Sequence, residues 1–504
     1  MKAALGIDIG TSAVKVLLLG LDGDVLAERA ADYPTARRHS GWAEQAPADW
    51  WRATVAAIAD VRAVAPEPDV VAVGLTGQLN GFVLLDEADA PLGDAPIWLD
   101  TRAVAETAEI EASHTDALRE RGVTRLSAIA VLPKLLWLRR HEPERLAAAR
   151  SLLLVKDYVL WKLTGMKTTD PSDAAATAMF DFETGDWNRA LVDALGIDAR
   201  LLPPIGPTAS VAGHLTAGAV AETGLPAGTP VARGAGDVTA LAVGTGAIED
   251  GILGITLGTA GHVVLGQDAS RRPDLDRELW CLPHANPDRL VWLGLVMTGG
   301  LSLAWMHEMF ASTGKPLDYG EMEALAAAVP AGASGVTFLP FLEGAATPYG
   351  EPRMRGTFNG LSPASTAGHM LRAAMEGVAF NVRQCVEAFQ ASGAEITSVH
   401  LAEGGARVEL WCQIIADVLG LPVRKLDTLN TSTLGAAMIA LVATGHGGYE
   451  DLLASQMVEG KLFDPNPANA RVYATAYARF SAEAEAAARL AARGEPTAAD
   501  VSAT

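Results

Sequence analysis

Cysteine is scarce in this chain. Cys281, Cys385 and Cys412 are the only three among 504 residues, far apart and without a Cys-x-x-Cys pair. That excludes a disulfide framework and a cysteine-based zinc site, and it suits a reduced, cytoplasmic protein. Positive charge is also short: 39 Lys and Arg against 60 Asp and Glu leave a net charge of −21. Such a balance argues against non-specific binding to nucleic acid or an anionic membrane. It leaves room for a phosphate ligand, because a local nest of backbone N–H groups can hold one in an acidic protein. Long apolar runs are missing too. The best candidate span, residues 290–306, is short and broken by Gly299-Gly300, so it reads as a buried strand, a glycine turn and a helix. No signal peptide is expected at the N-terminus, because Asp8 interrupts its apolar stretch. The remaining make-up, 49% hydrophobic and 20% charged, is that of a folded globular protein. Its length points to two domains of about 250 residues each.

What the chain does have is one glycine-rich turn written twice. The first copy reads Gly6-Ile7-Asp8-Ile9-Gly10-Thr11-Ser12 and the second Gly254-Ile255-Thr256-Leu257-Gly258-Thr259-Ala260. Gly10 and Gly258 lie 248 residues apart, as do Thr11 and Thr259, which an internal duplication explains. Each copy sits in a Val/Ile/Leu-rich run and reads as strand, tight turn, strand. Glycines alone allow tight turns anywhere, but two such turns facing each other across a cleft can cradle a polyphosphate with backbone N–H groups and short hydroxyls. Asp8 occurs in the first copy only. A carboxylate on an interior strand is costly unless paired or bound to a cation, and Mg²⁺ is held by carboxylate and phosphate oxygens.

Around these turns the pattern predicts a β-meander over 3–33, a helix over 47–65 and strands at 70–75 and 82–85. Mainly helical chain follows over 103–164 and an amphipathic stretch over 185–202. A Gly/Pro-rich connector runs to Pro230, then a strand at 231–233 and a helix over 238–250. The second half repeats the plan, with strands at 252–265, 290–297 and 397–402. Its helices are expected at 301–313, 320–328, 363–392, 408–419 and 433–444, with an Ala-rich tail fraying from about 485.

Three further groups carry possible chemistry. Asp237, in Gly234-Ala235-Gly236-Asp237, starts a helical run, so it can cap a helix or accept the proton of an attacking hydroxyl. Glu403-Gly404-Gly405-Ala406, between a strand and a helix, makes either an ordinary loop or a flat platform for a purine. Gln78 and Asn80 in a polar loop, with Trp98, Asp100 and Arg102, suit a polyhydroxylated ligand. The plain alternative for these five is loop polarity and an Asp100–Arg102 surface pair.

Together these segments resemble the FGGY carbohydrate kinases, and within them the xylulokinase branch, over nearly the whole chain to about residue 480. The resemblance rests on the opening Gly6–Lys15, on Gly41-Trp42-Ala43-Glu44-Gln45 followed by Trp50-Trp51, and on Pro133-Lys134-Leu135-Leu136-Trp137 with His141-Glu142-Pro143. Gly356–Leu361 and His369–Glu376 complete it. It implies an α/β fold of two ribonuclease-H-like domains of the actin/hexokinase type with the active site in the cleft between them. The boundaries are expected at 1–247 for the N-terminal, sugar-binding domain, 248–485 for the C-terminal, nucleotide-binding domain and 486–504 for the tail. It also implies ATP and Mg²⁺ as cofactors, a small sugar as the other substrate, and a homodimer. By the same resemblance Asp237 is the catalytic base and Asp8 the acid that works with Mg²⁺. Gly10, Thr11, Ser12, Gly258 and Thr259 cradle phosphate, and Gly300, Gly404, Gly405 and Ala406 line the nucleotide. Gln78, Leu79 and Asn80 fall where the branch binds sugar, and Asp100 and Arg102, taken from the residue reading above, join them as substrate-binding candidates.

The expected reaction is phosphorylation of the terminal hydroxyl of a ketopentose, D-xylulose foremost. Asn80 stands where the branch usually has histidine, Glu403 where many relatives have glycine, and Val238 where Asp-Asn is common. The alternatives are the same transfer to another sugar, a polyol or a sugar acid, for which Arg102 is the nearby cation, or a non-enzymatic actin-like ATP-binding protein.

Overall fold

The computed structural model describes residues 1–494 except 121–125, 275–276, 315, 429 and 459. Two seven-stranded sheets organise it. In the first, Lys2–Ile9, Ala13–Gly20 and Val25–Asp32 form the expected antiparallel meander. Asp69–Gly77 then pairs in parallel with Lys2–Ile9, and Pro230–Ala232 and Ala235–Gly236 pair with Asp69–Gly77. In the second, Ile252–Leu257, Gly261–Asp268 and Arg289–Val296 repeat the meander. Ser398–Ala402 joins Ile252–Leu257 in parallel, and Val423–Lys425 follows. Strand order and direction are shared, as an internal duplication requires. The central strands are apolar on both faces because helices cover both sides; in Lys2–Ile9 only Lys2 is exposed. The fold is the expected pair of actin/hexokinase-like domains.

Two helices join the halves. Asp237–Thr245 follows the last strand of the first sheet and reaches strands of the second, whereas Thr431–Ala443, late in the chain, packs on Lys2–Ile9 and Asp69–Gly77. Both are apolar all round, as helices buried on every side must be. They touch through glycines: a Cβ on Gly244 falls 2.0 Å from the Thr431 carbonyl oxygen, and one on Gly435 falls 1.8 Å from that of Ala240.

Several elements depart from expectation. Ser151–Leu154, inside the stretch read as helical, is a strand paired with Phe82–Leu85; three leucines in a row do not distinguish a buried strand from a buried helix. The amphipathic 185–202 stretch holds the two-residue strand Asp186–Trp187, the short helix Arg189–Ala194 and the turn Ala199–Leu201. The connector before Pro230 contains the strand Val211–His214 and the helix Ala217–Thr223, capped by the Thr216 hydroxyl and ended by Gly224 at φ 66°. The tail does not fray at 485. Helix Ala470–Ala492 continues because Tyr473, Tyr477, Phe480 and Ala484 bury one face of it, with the three rings against Phe380; residues 495–504 lie outside the described residues. Residues 290–306 do form a strand, a glycine turn and a helix, and no described helix is long and apolar enough to cross a membrane. All three cysteines are buried and free.

Candidate active site

Three adjacent strands of the first sheet end at one place. Asp8 is in register with Thr76, and Thr76 with Ala235, so Asp8, the loop after Gly77 and Asp237 meet at the carboxyl ends of parallel strands, where open α/β sheets bind ligands. Asp8 is 7% exposed and its Oδ1 has no hydrogen-bond partner. Burial pushes its carboxyl above the usual range, while Lys15, its register partner on the next strand, pulls the other way. Gly236 occupies the cap position of helix Asp237–Thr245, so Asp237 is its first residue, and Asp237 Oδ1 accepts from Val238 N–H at 2.9 Å. Burial, and then the charge of Asp8, raise the Asp237 carboxyl to about 7.

The first turn is held from beneath. Gly10 N–H donates to the Ala13 carbonyl at 3.1 Å. The Tyr33 hydroxyl and Gln78 Nε2 both donate to the Gly10 carbonyl, the latter at 3.3 Å. Trp98 Nε1 donates to Thr11 Oγ1 at 2.9 Å, and Gln45 Nε2 to the Thr11 carbonyl at 2.7 Å. Ser12 is exposed, and its carbonyl accepts from Tyr33 N–H. The polar loop after Gly77 therefore lies beside the phosphate-type turn, although 68 residues separate Gln78 from Gly10.

In that loop Leu79 packs against Gly236, and Asn80 adopts φ 64°, a left-handed conformation that asparagine tolerates. Lys134, fully buried, donates to the carbonyls of Asn80 at 3.0 Å and Ile97 at 2.6 Å, pinning the loop to its neighbour. Burial lowers this ammonium to about 7. Asp100 and Arg102 are a buried pair, not a surface one. Arg102 Nη2 lies 2.6 Å from Asp100 and 2.7 Å from Glu44, and its guanidinium stacks 3.6 Å over Trp42. Thirteen buried side-chain polar atoms lack a hydrogen-bond partner among the described residues, and four of them converge here: Asp8 Oδ1, Thr76 Oγ1, Gln78 Oε1 and Asn80 Oδ1. Native proteins leave few such atoms unpaired, so this concentration suits a bound polar ligand.

The second half assembles its own set. Gly300 N–H donates to the Gly258 carbonyl at 2.6 Å and Leu301 N–H to that of Thr259 at 3.2 Å, so helix Gly300–Ser312 begins on the second turn. A Cβ on Gly300 falls 2.5 Å from Gly258 O, and one on Gly405 2.5 Å from Leu257 Cβ. Gly258, Thr259, Gly300, Gly404, Gly405 and Ala406 thus gather around the end of strand Ile252–Leu257, with Thr259 and Gly404 exposed and Gly405 and Ala406 buried.

The residues overlooked in the sequence are those that hold the site. Lys15 is a single cation in the apolar strand Ala13–Gly20, a break in hydrophobicity that could have been read. Tyr33, Gln45 and Lys134 act through backbone carbonyls, which no residue pattern announces.

Residues 3–244 match the N-terminal domain of the FGGY family of carbohydrate kinases, and residues 253–444 match its C-terminal domain. The chain belongs to this family: it is a carbohydrate kinase, with ATP as its phosphoryl donor. It is 32% identical over 482 residues to a xylulose kinase of Bacillus subtilis (strain 168), with 95% of each chain covered. It is also 32% identical over 470 residues to a glycerol kinase of Gloeobacter violaceus, with 91% of each covered. Among solved structures, the xylulose kinase from Rhodospirillum rubrum superposes with a TM-score of 0.88 at 32% identity, covering 97% of this chain and all of that one.

Proposed function

We propose that the protein transfers the γ-phosphoryl group of ATP to the terminal hydroxyl of D-xylulose, giving D-xylulose 5-phosphate, in the cytoplasm. The likeness to xylulose kinases over 95% of the chain supports the substrate. The convergence of Asp8, Thr76, Gln78 and Asn80, each with a buried unpartnered oxygen, carries the location. Gln78 Oε1 and Asn80 Oδ1 accept from sugar hydroxyls, and Leu79 packs behind them. Arg102 is already neutralised by Asp100 and Glu44, so no free cation awaits a sugar acid there, and the pair serves as a wall of the pocket. A neutral sugar suits that surface.

Asp237 takes the proton of the attacking hydroxyl. A carboxylate raised to about 7 is matched to general-base work near neutral pH. The two turns hold the polyphosphate, and Gly300, Gly404, Gly405 and Ala406 line the nucleotide, so that most of the rate comes from alignment and charge stabilisation. Asp8 fits Mg²⁺. Its Oδ1 is buried and unpaired, and no group of three or more His, Cys, Asp or Glu among the described residues could hold a metal. The donor set is thus one that relies on phosphate oxygens and water, as Mg²⁺ sites do. When bound there, Mg²⁺ neutralises phosphate charge. Closure of the cleft keeps water from competing as acceptor.

The test is ADP release with Mg-ATP against D-xylulose, D-ribulose, glycerol and D-gluconate, with the product identified by mass and NMR. Dominant turnover on D-xylulose is expected. Dominant turnover on another compound overturns the substrate and points to Asn80, and no sugar-dependent ADP release overturns the reading of the site.

A further inference from the structure

Asn80 and Glu403 both stand at the cleft with positive φ, but asparagine tolerates it and glutamate does not. Glu403 sits at φ 70° and ψ −161°, a region that essentially only glycine occupies without strain. Such strain persists only where the surroundings hold it. Here Glu403 N–H donates to the Thr428 carbonyl at 3.3 Å, and Oε1 accepts from Thr431 Oγ1 at 3.1 Å, at the start of the helix that packs on the first sheet. The other carboxylate oxygen, Oε2, lies directly over Gly258, where a Cβ on that glycine would come within 2.7 Å of it. Burial pushes the Glu403 carboxyl above its usual range; of the charged groups acting on it, Lys15 pulls it down and Asp8 pushes it up, both from the first half. The second phosphate-type turn therefore carries an anion on its surface, facing a first turn that carries another. Asp237 adds a third carboxylate to the same cleft, and it too interacts with Asp8.

A polyphosphate entering between the turns meets these carboxylates, with Lys15 as the cation placed among them. We infer that Glu403 is a positioning residue that makes polyphosphate binding depend on a divalent cation: its carboxylate repels a metal-free nucleotide from the Gly258–Thr259 turn and is neutralised when the nucleotide arrives with its cation. A glycine here would relax the backbone and bare the turn to metal-free phosphate. The inference rests on the placement of the polyphosphate between the two turns.

The test is equilibrium titration of the full chain with ATP, in Mg²⁺ and in EDTA, for wild type, E403Q and E403G. E403Q keeps the size and the strained backbone but loses the charge; E403G loses both. Wild type binds ATP far more weakly in EDTA than in Mg²⁺, and in both variants that ratio falls by about tenfold, through tighter metal-free binding, because one close anion has gone. E403G also melts at or above the wild-type temperature, since it releases strain. An unchanged ratio in E403Q overturns the role of Glu403 and leaves the nucleotide site standing. Wild type that fails to bind ATP even with Mg²⁺ overturns the placement itself, and the inference with it.

Discussion

The two glycine turns are built alike and charged differently. In the first, Asp8 stands opposite Lys15 across the strand pair; in the second, Thr256 stands opposite His262. Asp8 and Lys15 carry a carboxyl and an amine across that pair. Thr256 Oγ1 and His262 Nδ1 form a neutral pair at 3.3 Å, and burial lowers the imidazole to about 4, so it carries no proton charge there. The second turn is also one residue shorter: Gly258–Ala260 bridges Leu257 and Gly261, whereas Gly10–Ala13 bridges Ile9 and Val14. Duplication thus supplied two backbone cradles, and divergence left an Asp–Lys pair within the first and a neutral Thr–His pair within the second, whose carboxylate comes instead from Glu403 outside the turn. The half with Asp8 and Asp237 is suited to the chemistry, and the half with Gly258, Gly300 and Gly405 to holding the nucleotide.

The sharpest way to break this comparison is to neutralise equivalent positions. Asp8→Asn is expected to lower kcat by about 10²–10³, the scale seen when one charge-stabilising group is removed. Thr256→Val, at the matching place, leaves kcat within about threefold, because it removes only a neutral hydrogen bond. Equal losses in steady-state rates would erase the distinction between the turns. Next come two substitutions that should affect different substrates. Lys134→Met frees the carbonyls of Asn80 and Ile97 and raises the sugar KM by about tenfold with the ATP KM unchanged. Gly300→Ala drives a methyl towards Gly258 O and raises the ATP KM by about tenfold with the sugar KM unchanged. Initial-rate grids in both substrates check the pair, and a shift in both KM values from either variant would blur the assignment of halves.

The smallest effect is on stability and depends on pH. Asp237 has its carboxyl raised from 3.8 to about 7 in the folded protein. The folded state therefore holds a proton that the unfolded state releases between those values, so this group's contribution falls as pH rises through that window. Asp237→Asn should melt higher than wild type at pH 8, with the gain shrinking towards pH 4 in thermal unfolding scans. A gain that is the same at both pH values would contradict the buried-carboxylate reading.

Much of this was legible in the sequence, and the reasons are physical. The repeated Gly-Thr turns, the meanders and the helix over 47–65 announce themselves because their signals are local: glycine spacing, apolar runs, and Pro47 at a helix start. The strand Ser151–Leu154 was not, because its identity depends on pairing with Phe82–Leu85. The helix Ala217–Thr223 hides inside glycine- and proline-rich chain, and Ala470–Ala492 needed the aromatic face that docks on Phe380. Within the site, sequence alone could not separate a substrate-binding Asp100–Arg102 from a surface pair, because the Glu44 and Trp42 that enclose it come from elsewhere in the chain. Glu403 could be noted as a departure from the usual glycine, but its strained backbone and its reach over Gly258 are properties of the folded chain.

The most direct test of the account is Asp237→Asn, measured for ATP affinity in Mg²⁺ and for turnover with D-xylulose on the same preparation. In the proposed reading Asp237 is the base and the other half holds most of the nucleotide. ATP should therefore bind as in wild type, while turnover falls by about 10²–10⁴, the range for loss of a general base. Turnover within a few-fold of wild type would contradict the account at its centre.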